Sequence, residues 1–278
     1  MLRSVNDLKG FEIVATDGEI GNVEQFYFDD ERWAVRYIVV NTGSWLSGRQ
    51  VLLSPFSVMH VDRQNKKLQV TLTKSQVEKS PDIDMHKPVS RQMEAAHSDY
   101  YGYSYYWGSP FLWGSGEYPV LASQQSAAAT AGVNSSTAAT SVTATGRPAT
   151  AEIVTGQRLA SEDVHLRSTQ EVASYHIAAM DGEIGHVEDF ILEDDSWTIR
   201  YLAIDTRNWL SGKKVLVSPQ WVSSVDWAQG KVHVNLSREG IKESPEYEHS
   251  KLISREYEQQ LYQHYRQPDY WSEQKQLL

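Results

Sequence analysis

The chain contains no cysteine among its 278 residues. This absence excludes disulfide bonds, thiolate metal sites and cysteine nucleophiles. Long apolar runs are also missing, because the longest β-forming stretch, residues 37–40, is far shorter than the ~18 residues of a transmembrane helix. Residues 1–9 lack the apolar core of a signal peptide. We therefore expect a soluble, cytoplasmic protein.

Basic side chains are scarce as well. Lys and Arg number 26 against 36 Asp and Glu, which gives a formal net charge of −10. Residues 1–107 carry 12 basic and 14 acidic side chains, residues 108–164 carry 2 and 4, and residues 165–278 carry 12 and 18. No segment is basic. Because nucleic-acid binding depends on neutralising phosphates, this distribution argues against nucleic acid as a partner.

What the chain does contain is an internal repeat. The sequence Asp-Gly-Glu-Ile-Gly at residues 17–21 recurs 164 positions later, at residues 181–185. The same offset aligns residues 45–48 with residues 209–212, both of sequence Trp-Leu-Ser-Gly. Without any gap, 41 of the 106 positions from Leu2 and Leu166 to Trp107 and Trp271 are identical. The chain therefore holds two copies of one domain.

The copies are separated by a segment of different composition. Residues 119–160 consist mainly of Ala, Ser, Thr and Gly, with few large apolar side chains to offset the entropy of ordering. We therefore assign residues 1–107 to the first domain, 108–164 to a disordered linker with an aromatic start, and 165–278 to the second domain. A flexible linker of this length spans about 40 Å.

Each copy is predicted to be mainly β. Residues 11–16 and 20–28 form a hairpin around Asp17-Gly18, residues 33–40 form a strand buried on both faces, and residues 50–53 form a short strand. Leu68, Val70 and Leu72 alternate with polar residues, as in a strand with one apolar face. Short C-terminal helices follow, one of them starting at an N-cap, Ser254. These elements predict a small closed or half-closed β-barrel in each copy.

The pattern resembles the PRC-barrel family. The resemblance rests on the strand-turn-strand at residues 18–24, the strand at residues 36–40, residues 45–55 (Trp-Leu-Ser-Gly-Arg-Gln-Val-Leu-Leu-Ser-Pro) and the tail from Pro88 to Trp107, and it extends to the same positions of the second copy. It implies two small PRC-type β-barrels. The family barrel also occurs in the photosynthetic reaction-centre H subunit and in a ribosome maturation factor, but the N-terminal parts of those proteins have no counterpart here.

Three functions follow as hypotheses. The first is a non-enzymatic protein-interaction or scaffold module that binds an unknown protein partner. The second, which the H-subunit resemblance implies, is an accessory of a photosynthetic or respiratory electron-transfer complex, with peripheral association to that membrane complex. The third is a ribosome- or RNA-associated factor. We also expect the two barrels to pack against each other with approximate two-fold symmetry, with the tail helices after Ser90 and Ser254 at the contact.

The duplication serves as a filter for sites, because a site that defines the module should occur in both copies. All nine histidines fail this filter, which argues against a metal centre or histidine-based catalysis common to both barrels. Nucleophile, phosphate-binding and dinucleotide motifs are also missing from the sequence, so we expect no metal, no cofactor and no catalytic residue. The carboxylates at positions 17, 19 and 24 are repeated at 181, 183 and 188, and we interpret them as turn and surface residues. Arg36 and Arg200 are repeated within apolar strands. An inward arginine needs a carboxylate partner, for which Glu24 and Glu188 are the candidates, and an anion site is the alternative interpretation.

Aromatic residues supply the candidate interaction sites. Trp45-Leu46 and Trp209-Leu210 lie in equivalent loops, where they either plug the barrel end or contact a partner. Residues 100–118 hold nine aromatic side chains, and the part from residue 109 to 118 has no counterpart in the second copy. We regard that part as the best candidate for a docking segment. The remaining candidates are Trp107, Phe111, Trp113 and Trp271.

Overall fold

The computed structural model describes residues 1–82, 89–120, 165–206 and 213–274. Most of the predicted linker lies outside these ranges. The first copy has the strands Leu2–Ser4 (β1), Glu12–Ala15 (β2), Gly18–Asp29 (β3), Ala34–Asn41 (β4), Gln50–Leu53 (β5), Val58–Asp62 (β6) and Lys67–Val70 (β7), and the helices Val5–Leu8 (α1), Lys74–Glu78 (α2) and Arg91–Tyr101 (α3).

The second copy repeats this order and adds one short helix. Its strands are Leu166–Ser168 (β8), His176–Ala179 (β9), Gly182–Glu193 (β10), Thr198–Asp205 (β11), Lys214–Val217 (β12), Val222–Asp226 (β13) and Lys231–Val234 (β14), and its helices are Thr169–Val172 (α4), Arg238–Glu243 (α5), Arg255–Tyr265 (α6) and Tyr270–Gln274 (α7). The mainly β fold with short C-terminal helices is therefore confirmed. None of the helices in the described ranges is both long and apolar enough to span a membrane.

Strand β3 approaches the backbone at the end of β4 closely at its second glycine, Gly21. Gly21 has a φ of +155°, and a Cβ atom there would lie 2.1 Å from the carbonyl oxygen of Asn41. Gly185 meets Asp205 in the same way in the second copy, at 2.3 Å. Only glycine fits such a position, which explains why the repeat keeps it.

The core forms where the apolar pattern predicted it. Ile13, Val35, Ile38, Leu68 and Val70 are all at most 1% exposed. Each such side chain stabilises the fold by about 1.5–3 kcal/mol relative to an exposed position. The core of the first copy is continuous with that of the second, because buried residues of both belong to one hydrophobic cluster.

The strands of both copies belong to one sheet. Its hydrogen-bonded path is β13-β14-β9-β10-β11-β4-β3-β2-β7-β6, with β1, β5, β8 and β12 paired off this path. Neighbours are antiparallel except for β2 with β7 and β9 with β14. Over the described residues this path does not close into a ring, so the structure excludes the closed form of the predicted barrel.

The N-terminal strands are exchanged between the copies. Strand β1 pairs with β10 of the second copy, and β8 pairs with β3 of the first. Both exchanged strands have the sequence Leu-Arg-Ser. Each is held by an equivalent ion pair, Arg3 with Asp194 and Arg167 with Asp30. The exchange is therefore reciprocal, and each barrel is completed by a strand of the other.

Two tryptophans mark the centre of the junction. Trp33 and Trp197 have φ angles of 53° and 58°, in the left-handed region, at the turns that precede β4 and β11. The Trp33 carbonyl accepts from the Ile199 amide at 2.7 Å, and the Trp197 carbonyl accepts from the Val35 amide at 2.8 Å. These reciprocal bonds join β4 to β11 next to their single paired position.

The tail helices border the contact between the copies only in part. Helices α3 and α6 begin at the N-caps Ser90 and Ser254, as expected. Each packs mainly on its own copy, and α3 also borders the second copy, because its Glu94 pairs with His165. Tyr101 and Tyr265 contact aromatic rings of their own halves, as do Trp107 and Trp271. Most of the contact between the copies comes from the exchanged strands and the β4–β11 junction, together with the rings of Phe28 and Phe190.

Candidate interaction surface

The aromatic segment that starts the predicted linker is packed on the first copy. Trp113 is only 1% exposed, and its ring meets Phe56 edge-on with centroids 5.2 Å apart. Its indole Nε1 donates to the backbone carbonyl of Ser196, in the second copy, at 2.8 Å. An irregular peptide segment is thus bound across the junction of the two halves.

Arg36 lies beneath this segment and contacts it. Its guanidinium lies against two rings, 3.7 Å from the centroid of Tyr106 and 4.7 Å from that of Trp113. Nη1 donates to the carbonyl of Leu112 at 2.7 Å, and Nε donates to Asp29 at 2.6 Å. Because the side chain is 1% exposed, the ion pair with Asp29 neutralises a charge that would otherwise be costly to bury.

The predicted partners of the two strand arginines are wrong. Arg36 pairs with Asp29 and Arg200 with Glu193, whereas Glu24 accepts from Gln50 and Glu188 pairs with Lys214. The β3–β4 ladder has two register shifts, between Val23 and Gln25 and between Tyr27 and Phe28. Glu24 lies at the first shift and Arg36 faces the second, which separates them by about 10 Å along the strand.

Arg32 holds the start of the same segment. Its guanidinium donates to the carbonyls of Ser109, Pro110 and Phe111, at 2.7, 3.3 and 2.8 Å. The ring of Phe111 remains 47% exposed. The segment therefore presents one aromatic side chain to solvent while it buries another beneath itself.

The other predicted site residues lie elsewhere. Trp45 and Leu46 are half-buried in the turn after β4, at the opposite end of that strand from Arg36's segment, and the Lys74 ammonium lies 4.6 Å from the Trp45 ring. Trp209 and Leu210 lie outside the described residues. Trp107 and Trp271 stack on equivalent arginines of the tail helices. The structure thus brings together Phe111 and Trp113, but not Trp45.

The repeated carboxylates have structural partners. Asp17 accepts from the amide of Lys74 at 2.8 Å, and Asp181 accepts from the amide of Arg238 at 2.7 Å, so each fixes the first residue of a short helix. Across the described ranges, no three His, Asp or Glu side chains form a group suited to a metal ion.

One repeated feature was missed by the sequence analysis. Glu94 is fully buried and accepts from the hydroxyls of Tyr37 and Tyr106, with His165 Nε2 at 2.7 Å from its carboxylate. In the second copy Glu258 accepts from Tyr201 at 2.7 Å and from Tyr270 at 2.9 Å. Burial raises the pKa of both Tyr37 and Tyr201 well above the usual value.

The sequence does carry a signal for this cluster, because its glutamate and tyrosines are identical in the two copies at the 164-residue offset. Both glutamates, all four tyrosines and the arginines at 91 and 255 are repeated. A carboxylate that is buried with its hydroxyl donors is a structural anchor for the tail helix.

Comparison with protein families agrees with the architecture. The PRC-barrel domain model matches residues 2–77 and again residues 177–241, about half of the chain. The chain belongs to the PRC-barrel family. Comparison with curated proteins gives no match. The two matches confirm the tandem arrangement inferred from the internal repeat.

Proposed function

We propose that this tandem PRC-barrel protein is a non-enzymatic, cytoplasmic protein-interaction module whose barrels bind apolar, aromatic segments of other proteins. The observation that carries the proposal is the burial of Trp113 on Arg36 and Phe56, because it shows what chemistry this barrel face accepts. The exposed ring of Phe111 beside it supplies an apolar contact for a partner.

The charged groups of the chain support a binding role over a catalytic one. The repeated carboxylates fix helix starts or pair with strand residues, and the strand arginines neutralise carboxylates within the fold. Groups engaged in this way stabilise the barrels and are not positioned to transfer protons to a substrate.

A photo-crosslinking amino acid at position 111 or 45, in living cells, tests the proposal. We expect both positions, or position 111 alone, to capture a reproducible protein partner that mass spectrometry identifies. The matched control is the same amino acid at Gln64, an exposed turn residue. Capture of the same proteins from position 64, or of none from position 111, contradicts the proposal.

A second candidate is an accessory role at an electron-transfer complex. The buried His165–Glu94–Tyr106 cluster favours it, because linked imidazole, carboxyl and phenol groups can relay protons. The second copy has Glu258 and Tyr270 at the equivalent positions, and the residue equivalent to His165 in the first copy is Met1. This candidate requires cofractionation with membranes, and a wholly soluble protein would contradict it.

A further inference from the structure

The second copy contains an open groove at the position where the first copy binds its aromatic segment. The groove has a volume of about 430 Å³. We call it the second groove. Its lining includes Arg32, Trp33, Arg200, Pro219, Gln220 and Tyr270.

The correspondence with the Trp113 site is residue by residue. Trp113 touches Phe56, Arg36 and the carbonyl of Ser196. At the 164-residue offset these positions become Gln220, Arg200 and Arg32, and all three line the second groove. The reciprocal β4–β11 junction explains why, since it places the turn of each copy beside the barrel of the other.

The arginine at the base of the groove makes the same two contacts in both copies, an ion pair and a stacked tyrosine ring. Arg200 is paired with Glu193, and its guanidinium lies 4.2 Å from the Tyr270 ring, just as Arg36 pairs with Asp29 and stacks on Tyr106. In the first copy the Trp113 ring also lies against the guanidinium, at 4.7 Å. In the second copy Arg200 lines the open groove.

The segment in the first copy follows the groove beyond Trp113. Tyr118, Pro119 and Val120 line a smaller cavity of about 320 Å³ together with Pro55, Val58 and Trp197. The latter three correspond to Pro219, Val222 and Trp33, which line the second groove. The first copy thus shows how an irregular segment of about ten residues, which contains several turns, occupies the equivalent surface.

We propose that the second groove binds a tryptophan-containing apolar segment of a protein partner. The indole stacks on the Arg200 guanidinium, and a main-chain carbonyl of the segment accepts from Arg200, as Leu112 does from Arg36. This inference rests on the proposed function and names the partner's chemistry. Because Gln220 replaces Phe56, the second groove is the more polar of the two and accepts a segment that binds reversibly.

The test uses the chain's own segment as the probe. A labelled synthetic peptide of residues 108–118 is titrated into the full chain and followed by fluorescence anisotropy. The tethered segment keeps the first groove filled, since its effective concentration is on the order of millimolar. We expect saturable binding of one peptide per chain. A peptide with Trp113→Ala is expected to bind at least about tenfold more weakly.

A protein variant locates the site. Gln220→Phe restores the ring that Phe56 supplies in the first copy, and we expect it to tighten peptide binding by about threefold to tenfold. Ser223→Phe, on the exposed neighbouring position of β13, is the matched control and is expected to leave the affinity unchanged.

Three results would overturn the inference. These are equal binding of the two peptides, no effect or a weakening with Gln220→Phe, and binding that appears only after removal of residues 275–278, which would assign the groove to the chain's own end. None of them affects capture of a partner at position 111 in cells. Failure of the second groove is therefore distinguishable from failure of the proposed function.

Discussion

Replacement of His97 by leucine should remove a pH-dependent part of the stability. His97 lies on α3, is 3% exposed, and its Nε2 is 3.0 Å from the carbonyl oxygen of Leu52. The rings of Tyr37 and Tyr101 pack on it, at centroid distances of 5.1 and 4.8 Å. Burial lowers the pKa of the imidazole from 6.5 to about 4.

The size and sign of the effect follow from that pKa. Between pH 6.5 and about pH 4 the unfolded chain binds a proton at His97 and the folded chain does not. The free energy of unfolding therefore falls as the pH is lowered through this window, by about 3 kcal/mol in total from this one group. Above pH 6.5 the histidine is neutral in both states and contributes no pH dependence.

The second copy supplies the replacement. Leu261 occupies the equivalent position on α6 and is fully buried there. His97→Leu should therefore pack without strain, with a cost at pH 7 of about 1–3 kcal/mol for the Leu52 carbonyl that loses its partner.

Urea unfolding, measured at intervals from pH 4 to 7.5, compares the two proteins. We expect the wild-type free energy of unfolding to fall more steeply below pH 6.5, so that the difference between the proteins shrinks or reverses near pH 4. Parallel curves across the window would refute the reasoning, because they would mean that His97 titrates alike in the folded and unfolded chains.

Three further predictions concern the stability and assembly of the fold. Gly21→Ala should lower the free energy of unfolding by about 3 kcal/mol or more, because its Cβ would meet the Asn41 carbonyl. Gly43→Ala, where the Cβ would meet open space, should lower it by about 1 kcal/mol. Chemical denaturation compares the two variants, and equal losses would contradict the close approach at Gly21. Trp113→Ala should cost about 3–5 kcal/mol in the same assay and Phe111→Ala under about 1, and the reverse order would contradict their burial. A fragment of residues 1–120 should dimerise by exchanging β1, as light scattering would show, and a monomer that keeps β1 folded would contradict this.

Local patterns in the sequence predicted most of the elements. Gln50–Leu53 is the strand that was predicted, Ser254 is the N-cap, and the strand after the Trp33 turn is buried as expected. These features depend on neighbours along the chain, so periodicity and turn chemistry are sufficient. The partners of Arg36 and Arg200 were not predictable in this way, because bulges in β3 and β10 change which side chains face each other.

The strand exchange and the site of Trp113 depend on distant parts of the chain. Since β1 and β8 have the same sequence, either strand fits either sheet, and the sequence does not distinguish pairing within a copy from pairing between copies. Burial of Trp113 likewise requires Ser196, 83 positions away, which no local pattern connects to it. For the buried Glu94 and Glu258, which anchor the tail helices among tyrosines, the signal in the sequence is that both residues and their tyrosines are repeated in the two copies.

Reciprocal exchange changes what a break in the chain would do. Cleavage anywhere between residues 121 and 164 leaves β1 in the sheet of the C-terminal fragment and β8 in that of the N-terminal fragment. The fragments can then separate only if both strands are released, together with the bonds between Trp33 and Ile199 and between Trp197 and Val35. A protease that nicks the intervening segment would therefore yield two polypeptides on a denaturing gel and a single particle in solution. The covalent connection is then needed only to bring the two halves together during folding, because the shared sheet holds them together afterwards.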